Sequence, residues 1–155
     1  MAFDPPEGAE TSRRGYDRSM DLRSREDFLA SFNRCRASAG FLAAFYERFV
    51  ASSDEIRAKF AGTDMTRQVR MLEDSLYVIA VAVQGEEGSL ARADLPRIAA
   101  RHSRNDLNIR SELYDLWLEC LIDTARSHDP QFSAGLEAAW RDTLAFGIQY
   151  MRSRY

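Results

Sequence analysis

Cysteine is scarce: Cys35 and Cys120 stand far apart, with no Cys-x-x-Cys and no Cys/His ligand spacing. That excludes a disulfide framework or cysteine-based metal site and leaves free, buried thiols in a reducing compartment. Long apolar runs are also missing: no stretch reaches the about 18 residues that a membrane span requires. With no charged-then-apolar leader at its start, the chain reads as soluble and cytoplasmic. Proline is limited to Pro5, Pro6, Pro96 and Pro130, and neither a period-two strand nor an Asn-Gly or Asp-Gly hairpin signal occurs. A sheet is therefore not expected. There is no Gly-x-x-x-x-Gly-Lys loop, no Gly-x-Gly-x-x-Gly, no Gly-x-Ser-x-Gly and no His-Glu-x-x-His, so those nucleotide-binding, hydrolase and metalloprotease classes drop out. Positive charge is in deficit, with a net charge of −3, so neither nucleic acid nor an anionic membrane is an expected partner. Lys59 is the one lysine among 21 basic residues, a bias of composition that by itself assigns no function.

Helical periodicity is what the chain does have. Residues 1–22, with Pro5-Pro6, Gly8, Gly15 and scattered charge, read as a flexible tail preceding one domain over 23–155. Ser24 and Asp27 resemble a cap, so a first helix should start near Arg25 and bury Phe28, Leu29 and Phe32. After Gly40, the residues Phe41, Leu42, Phe45 and Phe49 form a second stripe, with Tyr46 beside it. Asp54 is expected to cap a short turn carrying Ile56 and Phe60. Gly62, Thr63 and Asp64 then break the chain and cap a long helix whose stripe is Met65, Val69, Leu72, Leu76, Ile79 and Val83. Gln68 borders that face. Gly85-Glu86-Glu87-Gly88 reads as a loop, and Asp94 as the cap of the next helix with Pro96 in its first turn. Ser103 to Arg110 reads as an irregular connection, followed by helices through Leu113, Tyr114, Trp117, Cys120 and Leu121 and through Phe132, Leu136, Trp140, Leu144, Ile148 and Met151. Connections of varied length and no sustained heptads favour crossed all-α packing over a regular bundle.

Two histidines carry the chemical question. His128 lies in Ser-His-Asp-Pro, a corner composition that places it in solvent. His102 ends the stripe Leu95, Ile98, Ala99 and His102, at i, i+3, i+4 and i+7, so its imidazole points inward. Two accounts satisfy such a group: a bond to a backbone carbonyl in an ordinary core, or service as a metal or haem ligand.

The ordered set Phe45-Tyr46-Glu47-Arg48-Phe49, Phe60 fourteen residues after Tyr46, Gln68 with Leu72, Leu-x-x-Ile-Ala-x-x-His at 95–102, Tyr114, and Ala139-Trp140 resembles a bacterial globin. It is similar to the globin module of flavohaemoglobins and to single-domain haemoglobins, over about residues 25–155. The resemblance implies a globin fold around haem b, with His102 as the proximal iron ligand and Phe60 packed on the porphyrin. Leu72, Ile98, Leu107, Ile109, Tyr114 and Trp117 complete the implied haem-binding set. Tyr46 and Gln68 would form a distal pocket that donates hydrogen bonds to dioxygen, with nitric oxide and carbon monoxide as further ligands. The link from Phe60 to Gln68 is two residues shorter than in the family pattern, which brings Arg67 or Arg70 to the distal opening. The family's late glutamate behind Tyr114 is missing, since its position falls at Tyr155 and no acid follows Asp142. The implied function is reversible dioxygen binding for storage, delivery or buffering, with no catalytic residue assigned. Nitric oxide dioxygenation with a separate reductase and haem-based gas sensing are alternative uses of one pocket.

Overall fold

The apolar stripes become helices in the computed structural model, which describes residues 18–82 and 90–155, with side chains from 22–80 and 94–155. Seven α-helices and no strand occur among them: α1 (Arg18–Ala37), α2 (Phe41–Ala51), α3 (Asp54–Phe60), α4 (Met65–Ala82), α5 (Leu90–His102), α6 (Ser111–His128) and α7 (Ala134–Arg152). The chain is all-α, as its periodicity requires.

Cap chemistry explains several boundaries. Gly40 opens α2 with φ 78°, a left-handed conformation that glycine adopts without steric cost. Asp64 accepts the Arg67 backbone N–H at 3.1 Å and starts α4, as its sequence position predicts. Ser133 does the same for α7, accepting the Leu136 N–H at 3.3 Å. Other boundaries differ from expectation. Helix α1 begins at Arg18, so residues 18–22 are helical, and Ser24 and Asp27 lie within it. Asp54 is the first residue of α3 and pairs with Arg57, while Ser53 holds the cap position. Arg110 holds that position for α6, which begins at Ser111. Helix α5 starts at Leu90, so Asp94 lies inside it and Pro96 is an interior residue. The proline forfeits one backbone bond there, and the helix continues through it. The Gly85–Gly88 loop, Val83 and the tail to residue 17 lie outside the described residues.

Helix α1 packs chiefly on α7, and α2 on α6. At the first junction Trp140 meets Phe28 edge-on, ring centroids 4.7 Å apart, and Phe32 closes the cluster at 6.2 Å from Trp140. All three are fully buried, so truncating any one costs about 3–5 kcal/mol. The same junction holds a polar network. Trp140 Nε1 donates to Ser31 Oγ at 3.0 Å, and Ser31 donates to Asp129 at 2.6 Å. Arg34 grips the same carboxylate with two bonds, at 2.7 and 2.9 Å. Close approach matters where α4 crosses α7: a Cβ on Gly147 would lie 3.0 Å from Ile79 Cδ1. Glycine lets α4, which carries Gln68, lie against α7.

Candidate functional site

Helix α5 ends at His102, and its last turn fixes the imidazole. Nδ1 lies 2.8 Å from the Ile98 carbonyl one turn back. A carbonyl only accepts, so Nδ1 carries the proton and the Nε2 lone pair is left free. Burial holds this imidazole below its usual range against the opposing carbonyl bond, favouring the neutral ring. His102 lines a cavity with Phe49, Ile56, Lys59, Phe60, Ile109, Leu113, Tyr114 and Trp117. The wall is apolar except for His102, Lys59 and the Tyr114 and Trp117 polar tips. Its space of about 70 Å³ equals about two waters, so a larger planar guest requires the apolar walls to part.

Helices α2 and α3 supply one side. Phe49 and Phe60 meet edge-on at 6.0 Å, and Tyr46, one turn before Phe49, packs against Phe60 at 5.7 Å. Helix α6 supplies the other side. Tyr114 lies nearly parallel to His102, ring centroids 6.5 Å apart, and Trp117 leads back to Phe45 at 6.2 Å.

Tyr46 and Gln68 are brought together across 22 residues: the Gln68 amide Nε2 donates to the Tyr46 hydroxyl at 3.2 Å. The hydroxyl's own acceptor is the Gln68 backbone carbonyl, at a long 3.5 Å. Its proton is thus weakly engaged and available to another acceptor. Burial pushes this phenol up to about 12, outweighing the Gln68 bond, so it stays a donor across the neutral range. Arg67 and Arg70 are both exposed.

Five residues singled out in the sequence lie off the cavity wall: Tyr46 and Gln68, which pair with each other beside Phe60, and Leu72, Ile98 and Leu107. Leu72 is buried on α4, Ile98 contributes its carbonyl to His102, and Leu107 is 41% exposed. Behind Tyr114 stands Arg152, whose charge opposes the rise that burial gives the phenol to about 12. Arg152 binds the Ser111 carbonyl and Asp115. Tyr155 turns elsewhere and donates to Asn108 Oδ1 at 2.6 Å. His128 is not the solvent-exposed side chain its corner position suggests. It is half-buried, with Nδ1 2.9 Å from the Thr124 carbonyl and its ring on Phe41 at 5.5 Å.

Phe49, Ile56, Lys59 and Leu113 line the cavity without having been singled out. Phe49 and Ile56 carried a signal, standing three residues after Tyr46 and four before Phe60 on the same stripes. For Lys59 the only signal was its rarity.

No family model matches the chain, and no curated protein does. Among solved structures it is similar to a Pseudomonas aeruginosa protein described as structurally highly homologous to a human haemoglobin. The two share 41% identity and a TM-score of 0.80, and the match covers 85% of this chain and 98% of the other.

Proposed function

Because the chain belongs to the bacterial globins, we propose that it binds haem b through His102 and holds dioxygen reversibly beside Tyr46 and Gln68. The observation that carries this is the His102 geometry: a neutral imidazole with Nδ1 tied to Ile98 and Nε2 free in an apolar cavity. Such a ring is preset as a ligand, because its tautomer and rotation are already fixed by the carbonyl behind it. The wall fits a flat apolar guest, with Phe60 for its face and Ile109, Leu113 and Trp117 for its edge.

Held there by His102 with Phe60 against it, haem would supply a ferrous iron able to bind a diatomic gas. The chain's own part is selective retention. Tyr46 accepts from the Gln68 amide, and its O–H, held only by the long contact to the Gln68 carbonyl, is free to turn to a polar ligand, with the Gln68 amide as a second donor. Dioxygen accepts such bonds far better than carbon monoxide, so the pair favours dioxygen. Arg152 stands near Tyr114, and the position of the family's glutamate falls at Tyr155, which bonds to Asn108 instead. With no carboxylate there to draw the His102 proton, the proximal side suits holding a ligand more than cleaving it.

The test is the absorption spectrum of the chain purified with haem present, in ferrous, oxygenated and carbon monoxide forms, beside His102→Ala. The expected result is a Soret band in each wild-type form and a large loss of haem affinity in the variant. A wild type without that band, or a variant with full affinity, refutes the assignment.

A further inference from the structure

Lys59 lies on the cavity wall immediately before Phe60, yet its ammonium is committed to backbone. Nζ donates to the Leu107 carbonyl at 2.9 Å and to the Asn108 carbonyl at 3.1 Å, both in the loop that follows His102. The same loop is gripped from α7's end, where Tyr155 donates to Asn108 Oδ1 at 2.6 Å and the Arg104 guanidinium lies 5.0 Å over the Tyr155 ring. Asn108 has φ 50°, a left-handed conformation that asparagine tolerates better than most residues. The loop is short and internally bonded: Asn108 N donates to Ser103 O at 2.9 Å, and Ile109 N to His102 O at 3.0 Å. A pull on Asn108 therefore reaches the last turn of α5, where the imidazole is set.

The chemistry explains why a chain otherwise built with arginine keeps a lysine here. An ammonium is a compact point donor that can sit between two successive carbonyls. A guanidinium is a broad planar fork suited to a carboxylate. Arg110 shows that second mode next door, gripping Glu55 of α3 with two bonds at 3.2 and 2.6 Å.

We propose that Lys59 is a positioning residue: it clasps the loop after His102 to the end of α3 and so fixes the imidazole's distance and tilt relative to Phe60. The proposal rests on His102 being the haem ligand. Its test uses the full haem-loaded chain as wild type, Lys59→Met, Lys59→Arg and Tyr155→Phe. Two readouts are followed: the iron–histidine stretching band of the ferrous form by resonance Raman, and the rate of haem transfer to excess apomyoglobin. Lys59→Met keeps the aliphatic stem on the cavity wall while removing the donors, and is expected to shift and broaden the band and to speed transfer about tenfold. Lys59→Arg keeps the charge and is expected to fall between the two, with a shifted band. Tyr155→Phe is expected to move the band in the same sense by less. A Lys59→Met protein that loads haem with the wild-type band and a transfer rate within about twofold overturns the clasp and leaves His102 as ligand. If Lys59→Met fails to fold, Lys59→Arg decides, and an unchanged band overturns the proposal. A wild type that takes up no haem overturns both assignments at once.

Discussion

Replacing Tyr46 by Phe deletes one hydroxyl from the proposed distal side and leaves a ring of nearly the same shape on Phe60. Its cost in dioxygen retention follows from the bonds around that hydroxyl. The proton has only the long 3.5 Å contact to the Gln68 carbonyl to give up, so its bond to a ligand is nearly all gain. One such bond is worth about 1–2 kcal/mol, about tenfold in release rate. Deletion also frees the Gln68 amide from its 3.2 Å bond to Tyr46, so the amide can turn toward the ligand and recover part of the loss. Tyr46→Phe and Gln68→Leu should each therefore release dioxygen about tenfold faster, and the double variant by a factor different from their product, because the two groups share a hydrogen bond. Stopped-flow displacement of dioxygen by carbon monoxide measures all four proteins. The phenol, pushed up to about 12 by burial, stays protonated over about pH 6–10, so wild-type release should be flat over that range. Release from Tyr46→Phe within about twofold of wild type refutes the assignment of the hydroxyl as a ligand donor, and a product of single effects equal to the double refutes the coupling through the shared bond.

Asp129→Ala removes the buried anion under Arg34, Ser31 and Trp140 and should cost about 3–5 kcal/mol, read as a fall in Tm of about 2–4 °C per kcal/mol. Burial pushes the Asp129 carboxyl up, but bonds from Arg34, Ser31 and the Gln131 backbone outweigh it and hold the group below its usual range. Its contribution is therefore complete above the unfolded value of about 3.9 and is lost as pH falls through the lower folded value. Denaturant titrations should show a shallower acid loss in Asp129→Asn. Gly147→Ala should destabilise by about 1–3 kcal/mol despite alanine's better helix propensity, because the new methyl meets Ile79 at 3.0 Å, and in an Ile79→Ala background the same substitution should cost much less. Burial pushes the Cys35 thiol up to about 12 and raises Cys120 as well, so both should resist thiol reagents in the native protein and react on unfolding. Fast native labelling of either would contradict its burial.

Local periodicity by itself determined the all-α architecture, the long α4 stripe with its Asp64 cap, and an inward His102 at the end of α5. Those features depend on side chains three or four residues apart, which a sequence displays directly. Tyr46, Phe60, Gln68 and His102 were picked out through their family spacing, and the structure pairs Gln68 with Tyr46, packs Tyr46 on Phe60 and sets Phe60 and His102 on one cavity wall. Helix starts were less legible. Helices α1 and α5 begin at Arg18 and Leu90, ahead of the cap residues Ser24 and Asp94 that the sequence offered, and Pro96 is carried inside α5 because packing outweighs one lost backbone bond. What only the tertiary structure decided are contacts between distant elements. Asp129 meets Ser31 and Arg34 across 98 and 95 residues. Lys59 meets Leu107 and Asn108 across 48 and 49 residues, and Gln68 turns its amide onto Tyr46 across 22 residues. A lone lysine and a corner aspartate carry no periodic signal. Their roles come from the carbonyls and cations that folding places beside them, and a buried polar group takes its meaning from its partner.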